Sequence, residues 1–279
     1  MTLDPEQLGR SKADLAEALR DLRKRAGLTG DRLAKRCAMS QSKISKIETG
    51  KTTASLMDVE RIVRAVGAPP ELVSEVMALA RMANTEWQDK RFSWRRGLEK
   101  RQAELAALES ESTEMRYFLP SMLTGLLATP EYVRASLTHS PGGKSKTVAR
   151  KLERQAVLYD RSKRFTFLLT GQAIRWAVVP PSAMAVQIDR LASLSRLPNI
   201  GIGVVPDGVT IPRGPLNTFT IYDDRLVTAE TFTGRIVFQD SRDVAQHREV
   251  FDMYATFALY GDDVREYLDV RVQSLLRDL

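Results

Sequence analysis

Residues 28–50 read LTGDRLAKRCAMSQSKISKIETG, and the fold of the N-terminal third is decided there. Thr29 offers a side-chain oxygen just before a run in which Leu33, Ala34 and Cys37 recur at helical spacing. That pattern predicts an N-cap and a short helix from Gly30 to Cys37. Ala38 and Met39 leave room only for a tight connection. Ser40 caps a second helix, Gln41 to Thr49, which Gly50 ends. Ile44 and Ile47 lie three apart on that helix and face inward with Leu33 and Met39. Its other face carries Gln41, Ser42, Lys43, Ser45 and Lys46. Two short helices joined by about three residues form a helix-turn-helix, whose second helix is expected in a major groove. The outward side chains suit that place. Gln can bond an adenine edge twice, Lys reaches guanine, and Ser donates or accepts. Lys51 and Thr52 follow where phosphate contacts would fix register, and Thr29 is counted among the DNA-contacting residues.

The flanking residues complete a small helical domain. Leu15, Leu19, Leu22 and Ala26 predict a first helix stopped by Gly27. Ser55, with Asp58 three residues on, opens a fourth helix through Val66. Pro69 and Pro70 start a fifth to about Asn84, with Leu72, Val76 and Leu79 inward. Glu48 on a DNA-facing helix would repel phosphate, so it is expected to pair internally, with Arg20 the nearest candidate. Cys37 reads as core packing.

These positions, Leu28-Thr29-x-x-x-Leu33-Ala34 and Met39-Ser40-Gln41-Ser42-x-Ile44-Ser45-x-Ile47-Glu48-x-Gly50, resemble the lambda-repressor-like, or Xre-type, helix-turn-helix over about residues 12–84. Gly30 stands where many members of that family carry a glutamine. The resemblance implies a five-helix all-α DNA-binding domain.

Charge agrees with a polyanionic partner. Residues 1–100 hold 20 Lys/Arg against 14 Asp/Glu, whereas the remaining chain holds 22 against 21. The excess therefore sits in the first third, where nucleic acid is the usual partner of such a cluster. A length of 279 residues suggests two domains. The lone cysteine allows neither an internal disulfide nor a thiolate zinc site. No secretory leader and no apolar run of membrane length is read. The expectation is a cytoplasmic protein, nucleoid-associated when bound to DNA, with no membrane partner.

Beyond residue 84 the pattern changes. Residues 85–110 read as a linker and docking helix: Trp87, Phe92, Trp94, Arg95 and Arg96 mark a hinge, then Leu98, Leu105 and Leu108 a helix. Residues 111–279 read as an α/β (α+β) domain. Strands are expected at Met115–Pro120, Phe165–Leu169, Gly201–Val205, Phe219–Tyr222, Leu226–Phe232 and Arg235–Phe238. Helices are expected at Pro130–Leu137, Thr147–Asp160, Ser182–Leu194, Arg242–Leu259 and Asp262–Leu276. Pro141-Gly142-Gly143 reads as a loop.

The run Leu123-Thr124-Gly125-Leu126-Leu127-Ala128-Thr129-Pro130-Glu131-Tyr132, with Arg150, Arg154-Gln155, Leu197-Pro198-Asn199-Ile200 and Glu230, is similar to actinobacterial WhiJ-like regulators. That resemblance implies an antitoxin-like transcriptional regulator working with a small protein encoded nearby. The alternative it leaves open is an antitoxin that neutralises its partner and autoregulates its promoter. Arg150 and Arg154, four apart on one helical face, could grip an acidic partner or extend the DNA footprint, or that face could be solvated or salt-bridged within the protein. A homodimer over a palindromic duplex operator is expected, because one recognition helix covers only a half-site.

Chemistry for catalysis is not legible. His139 and His247 have no ligand-spaced companion, and no nucleophile elbow, P-loop or dinucleotide fingerprint is present. Gly201-Ile202-Gly203 lacks a third glycine and reads as a buried strand. Asp262, Asp263, Glu266 and Asp269 read as a solvated helix face rather than a cation loop. No enzyme activity, cofactor or metal is expected.

Overall fold

The computed structural model describes residues 5–89, 98–138, 144–232 and 234–277. Phe92, Trp94, Arg95, Arg96, His139 and the 141–143 stretch fall outside them. The chain divides into two compact units, Met1–Trp87 with Ile236–Asp243, and Gln88–Arg235 with Val244–Leu279.

The first unit is built from helices α1 (Pro5–Arg25), α2 (Gly30–Arg36), α3 (Gln41–Glu48), α4 (Leu56–Ala65) and α5 (Pro70–Ala83). Each boundary has a local cause. Gly27, Gly50 and Gly67 take positive φ after α1, α3 and α4, a conformation that costs glycine least. Ser55 and Asp58 form a reciprocal capping box on α4. Leu15, Leu19, Leu33, Ile44, Ile47, Val59 and Ile62 fill one core, with Leu72 and Leu79 packed at its edge. Ala26 is exposed, because α1 ends one residue before it.

The second unit is a mixed sheet with helices, an α/β arrangement as its sequence pattern requires. Its elements are α6 (Leu98–Glu111), β2 (Glu114–Leu119), α7 (Pro130–Ser136), α8 (Lys144–Glu153), a 3-10 turn (Arg154–Tyr159), β3 (Arg164–Thr170), α9 (Gly171–Arg175), α10 (Pro181–Leu194), β4 (Ile200–Val205), β5 (Phe219–Tyr222) and β6 (Leu226–Glu230); after Asp243 its last helix is α12 (Gly261–Arg277). Strands β1 (Thr85–Asp89) and β7 (Gly234–Phe238) and helix α11 (Ser241–Ala255) each span a boundary between the units. Within the unit the strand order is β6-β5-β2-β3-β4. Strands β2, β3 and β4 run parallel, with Phe165 opposite both Met115 and Ile200; β5 and β6 pair antiparallel beyond β2.

Strand β4 is apolar throughout, and β2 and β3 become apolar and buried toward their C-terminal ends, at Tyr117–Leu119 and Phe167–Leu169, as strands covered on both faces do. Met115, Tyr117, Phe165, Phe167, Ile202 and Val204 share the larger core with α10 and α12. Gly203 admits a close neighbour: a Cβ there would meet the Tyr260 ring at 2.5 Å. Gly203 thus serves packing. No helix among the described residues is long and apolar enough to cross a membrane.

Several elements differ from the sequence expectation: α11 ends at Ala255 rather than Leu259, which instead bridges to Val204 of β4, and β6 ends at Glu230 rather than Phe232. Residues 85–89 form a strand where a linker was expected. Thr147–Asp160 is not one α-helix, since α8 gives way to the 3-10 turn at Arg154. A one-turn helix, α9, follows β3, capped by Thr170.

Candidate nucleic-acid interface

The helix-turn-helix is assembled from its caps. The Thr29 side chain accepts from the Arg32 amide at 3.3 Å and the Ser40 side chain from the Lys43 amide at 3.1 Å. Between the helices, Ala38 takes φ 51°, and its neighbour Met39 donates back to the Ala34 carbonyl at 2.9 Å. This turn fixes α3 against α2.

The sidedness of α3 is sharp. Ile44 and Ile47 are each 1% exposed, whereas Gln41, Ser42, Lys43, Ser45 and Lys46 are all exposed. Lys51, Thr52 and Thr29 are exposed as well. The Gln41 amide lies at the start of α2, since a Cβ on Gly30 would stand 3.8 Å from its Nε2. Gln41 therefore occupies space that a longer side chain at position 30 would contest. Arg32, which sequence reasoning passed over, is exposed in the first turn of α2 beside Thr29. Its position at N3 of a capped basic helix is the signal that could have found it.

Two ion pairs hold the frame. Glu48 turns back from the exposed side to take a two-pronged bond from Arg23, Nε–Oε1 at 2.7 Å and Nη2–Oε2 at 2.8 Å. Internal pairing was expected, but from Arg20; Arg23 lies three residues further along α1 and also donates to the Leu28 carbonyl at 2.9 Å. The Glu48 carboxylate raises the Arg23 pKa against the opposing effect of burial. Lys43 donates from Nζ to Asp58 Oδ1 at 2.7 Å. Its ammonium is thus shared with α4, and Lys46 and Lys51 are the cations of this face for which no carboxylate partner is seen among the described residues. Cys37 is buried, its thiol pKa raised by burial, with Sγ 3.6 Å from the Arg61 carbonyl.

In the second unit the structure separates Arg150 from Arg154. Arg150 is exposed near the end of α8. Arg154 begins the 3-10 turn and points inward, Nε 2.8 Å from Glu109 Oε2, with the two side chains 8% and 1% exposed. The helix ends between them, so the shared partner-gripping face does not form. Tyr117 OH donates to Glu109 at 3.1 Å. Burial raises the Glu109 carboxyl pKa against the pull of Arg154, and Tyr222 is pushed up to about 12 by burial and then by Glu109.

The Leu123–Tyr132 run has a structural role visible in its backbone. Gln155 donates from Nε2 to the carbonyls of Gly125 and Ala128, both at 2.8 Å. Gln187 donates to the Leu127 carbonyl at 2.9 Å and accepts from the Thr129 amide at 2.7 Å. Arg190 bonds Leu127 O at 3.2 Å and Gln155 Oε1 at 2.7 Å. The turn makes one bond of its own, from the Leu127 amide to the Thr124 carbonyl at 3.1 Å, and the carbonyls of Gly125, Leu127 and Ala128 are satisfied by three long polar side chains. Gln187 stands among Met184, Ala185, Ile188 and Leu191, and a polar residue at that position was the sign available in sequence.

Residues 14–76 match the model of a helix-turn-helix domain. Residues 102–269, more than half of the chain, match the family described as "Domain of unknown function (DUF5753)". The chain belongs to the DUF5753 family. As a DUF5753 protein it carries its helix-turn-helix ahead of the family domain, within the first unit. No curated protein matches it. Among solved structures, Nuc from Salmonella typhimurium, a phospholipase D family member, is 10% identical over 58% of this chain and 90% of that one, TM-score 0.37. NucT from Helicobacter pylori is 12% identical over 63% and 98%, TM-score 0.36. TrmBL2, an archaeal chromatin protein, is 12% identical over 79% and 69%, TM-score 0.35.

Proposed function

We propose that this DUF5753 protein is a sequence-specific DNA-binding transcriptional regulator of Xre type. Helix α3 lies in the major groove, with Gln41, Ser42 and Ser45 at base edges and Lys46, Lys51, Thr52 and Thr29 at phosphates. The observation that carries the reading is the sidedness of α3: its two isoleucines are sealed in the core while every residue between them and before them faces out. Lys43 contributes charge from its pair with Asp58 rather than as a free base reader. A homodimer spans two half-sites, and the second unit receives a signal or a small partner protein. The reading assigns the protein no catalytic step and places it in the cytoplasm.

The test is salt dependence. Binding to a selected duplex is measured by fluorescence anisotropy between 50 and 200 mM salt (roughly the range over which phosphate contacts are resolved). Lys46→Ala with Lys51→Ala is expected to weaken binding and reduce the salt slope by about two. An unchanged slope removes α3 and the residues after it from the interface.

A further inference from the structure

Helix α12 is sorted by charge along its length. Asp262, Asp263, Glu266 and Asp269 lie in its N-terminal half with Arg265, while the stretch from Val270 to Arg277 holds Arg271 and Arg277 and no acid. Its inner side, Val264, Leu268 and Leu275, is buried in the core. Its outer side carries Asp262, Glu266, Val270, Gln273 and Arg277, which line one shallow groove together with Arg196. Asp263, Val270 and Arg277 recur at seven-residue spacing, so they share a stripe that a straight helix can present to a partner helix. Val270 stands at the middle of this stripe and is 61% exposed.

The pattern is self-complementary in one orientation only. About a two-fold axis at Val270, two antiparallel copies of α12 set Arg277 of each opposite Asp263 of the other, with Asp262, which is paired to Arg265 of its own helix, alongside, and Gln273 beside Glu266. A parallel pairing would put acid on acid. An isologous interface needs this property of a single surface. One helix strip, about 25 Å long and 10 Å wide, is well short of the ~800 Å² that a stable dimer buries per partner. The neighbouring α10 supplies more: it packs beside α12, and Val186, Asp189 and Ser193, three or four apart, are exposed along it, with Arg196 exposed just past its end. Val186 is 60% exposed.

We propose that a second copy of this chain docks on the outer face of α12 and α10, antiparallel about Val270. The proposal rests on the homodimer reading and names its surface. The test uses the full chain in analytical ultracentrifugation, with thermal melting as the check on folding. Arg277→Glu alone, and Asp262→Lys with Asp263→Lys, are each expected to weaken dimerisation about tenfold or more, since each sets like charges opposite. Mixing the two variants is expected to restore a dimer, because every opposing pair in the heterodimer is again of unlike sign. Variants that dimerise as tightly as the parent overturn this surface while leaving the homodimer reading intact. Variants that become monomeric and stay so on mixing overturn the pairing. A parent chain that is monomeric both free and on its duplex overturns the homodimer reading and this surface with it.

Discussion

At Glu48 a carboxylate sits on the helix that should approach phosphate, and the sign of its charge alone requires a partner within the protein. The requirement was legible in sequence; the partner was not. Arg20 and Arg23 lie about one helical turn apart, and the choice depends on how far along α1 the end of α3 packs, which spacing does not encode. Both side chains are largely buried, 16% and 10% exposed. Removing one therefore strands the other. Arg23→Ala is expected to cost about 2–3 kcal/mol in urea unfolding of the first unit. Arg23→Lys should recover only part, because an ammonium cannot make the two-pronged bond. Lys43→Ala should cost much less, since that side chain is 44% exposed. Lys43 also shows the limit of composition. Its outward position could be read from periodicity, but its bond to Asp58 joins residues fifteen apart on different helices.

Among the elements, those with strong periodicity and caps were legible within a few residues, α3 and α10 in particular. The strand at 85–89 was not, because Thr85-Glu86-Trp87-Gln88-Asp89 has no run of apolar or β-branched residues. The break at Arg154 was hidden because Leu152, Leu158 and the intervening residues fit a continuous helix. What ends α8 is tertiary: Arg154 turns in to Glu109 and Gln155 to the carbonyls at 125 and 128. Replacing Gln187 by Leu keeps the volume but leaves the Thr129 amide unpaired, and about 1–3 kcal/mol of stability should be lost in denaturant unfolding. The hairpin between β5 and β6 carries a pH-dependent contact. Asp223 takes φ 48°, and its Oδ1 accepts from the Thr113 and Glu114 amides at 2.9 and 2.7 Å. Partial burial works against its charge, but these bonds and Arg225 outweigh it, so the carboxyl titrates below the ordinary aspartate range. A lowered folded value stabilises above about pH 4 and is lost as pH falls through that range. Asp223→Asn, which tolerates the backbone, should be less stable than the parent at pH 7, and the gap between their urea midpoints should close toward pH 3.

Across the whole molecule, the excess of basic residues falls in the first hundred, and the loss of helical pattern from Thr85 is what suggests a helical domain ahead of an α/β domain. Sequence could not show that residues 236–243 return to the first unit, because a return of eight residues leaves no compositional trace. Sequence-specific regulation by this protein requires that α3 read bases. The most direct measurement is selection of bound duplexes from a randomised pool by the full chain, repeated with Gln41→Ala at the same salt. The parent should enrich a defined motif. The variant should retain that motif except at one base position, where preference falls by about 1–3 kcal/mol. No enriched motif with the parent, or an identical motif with both proteins, would contradict it.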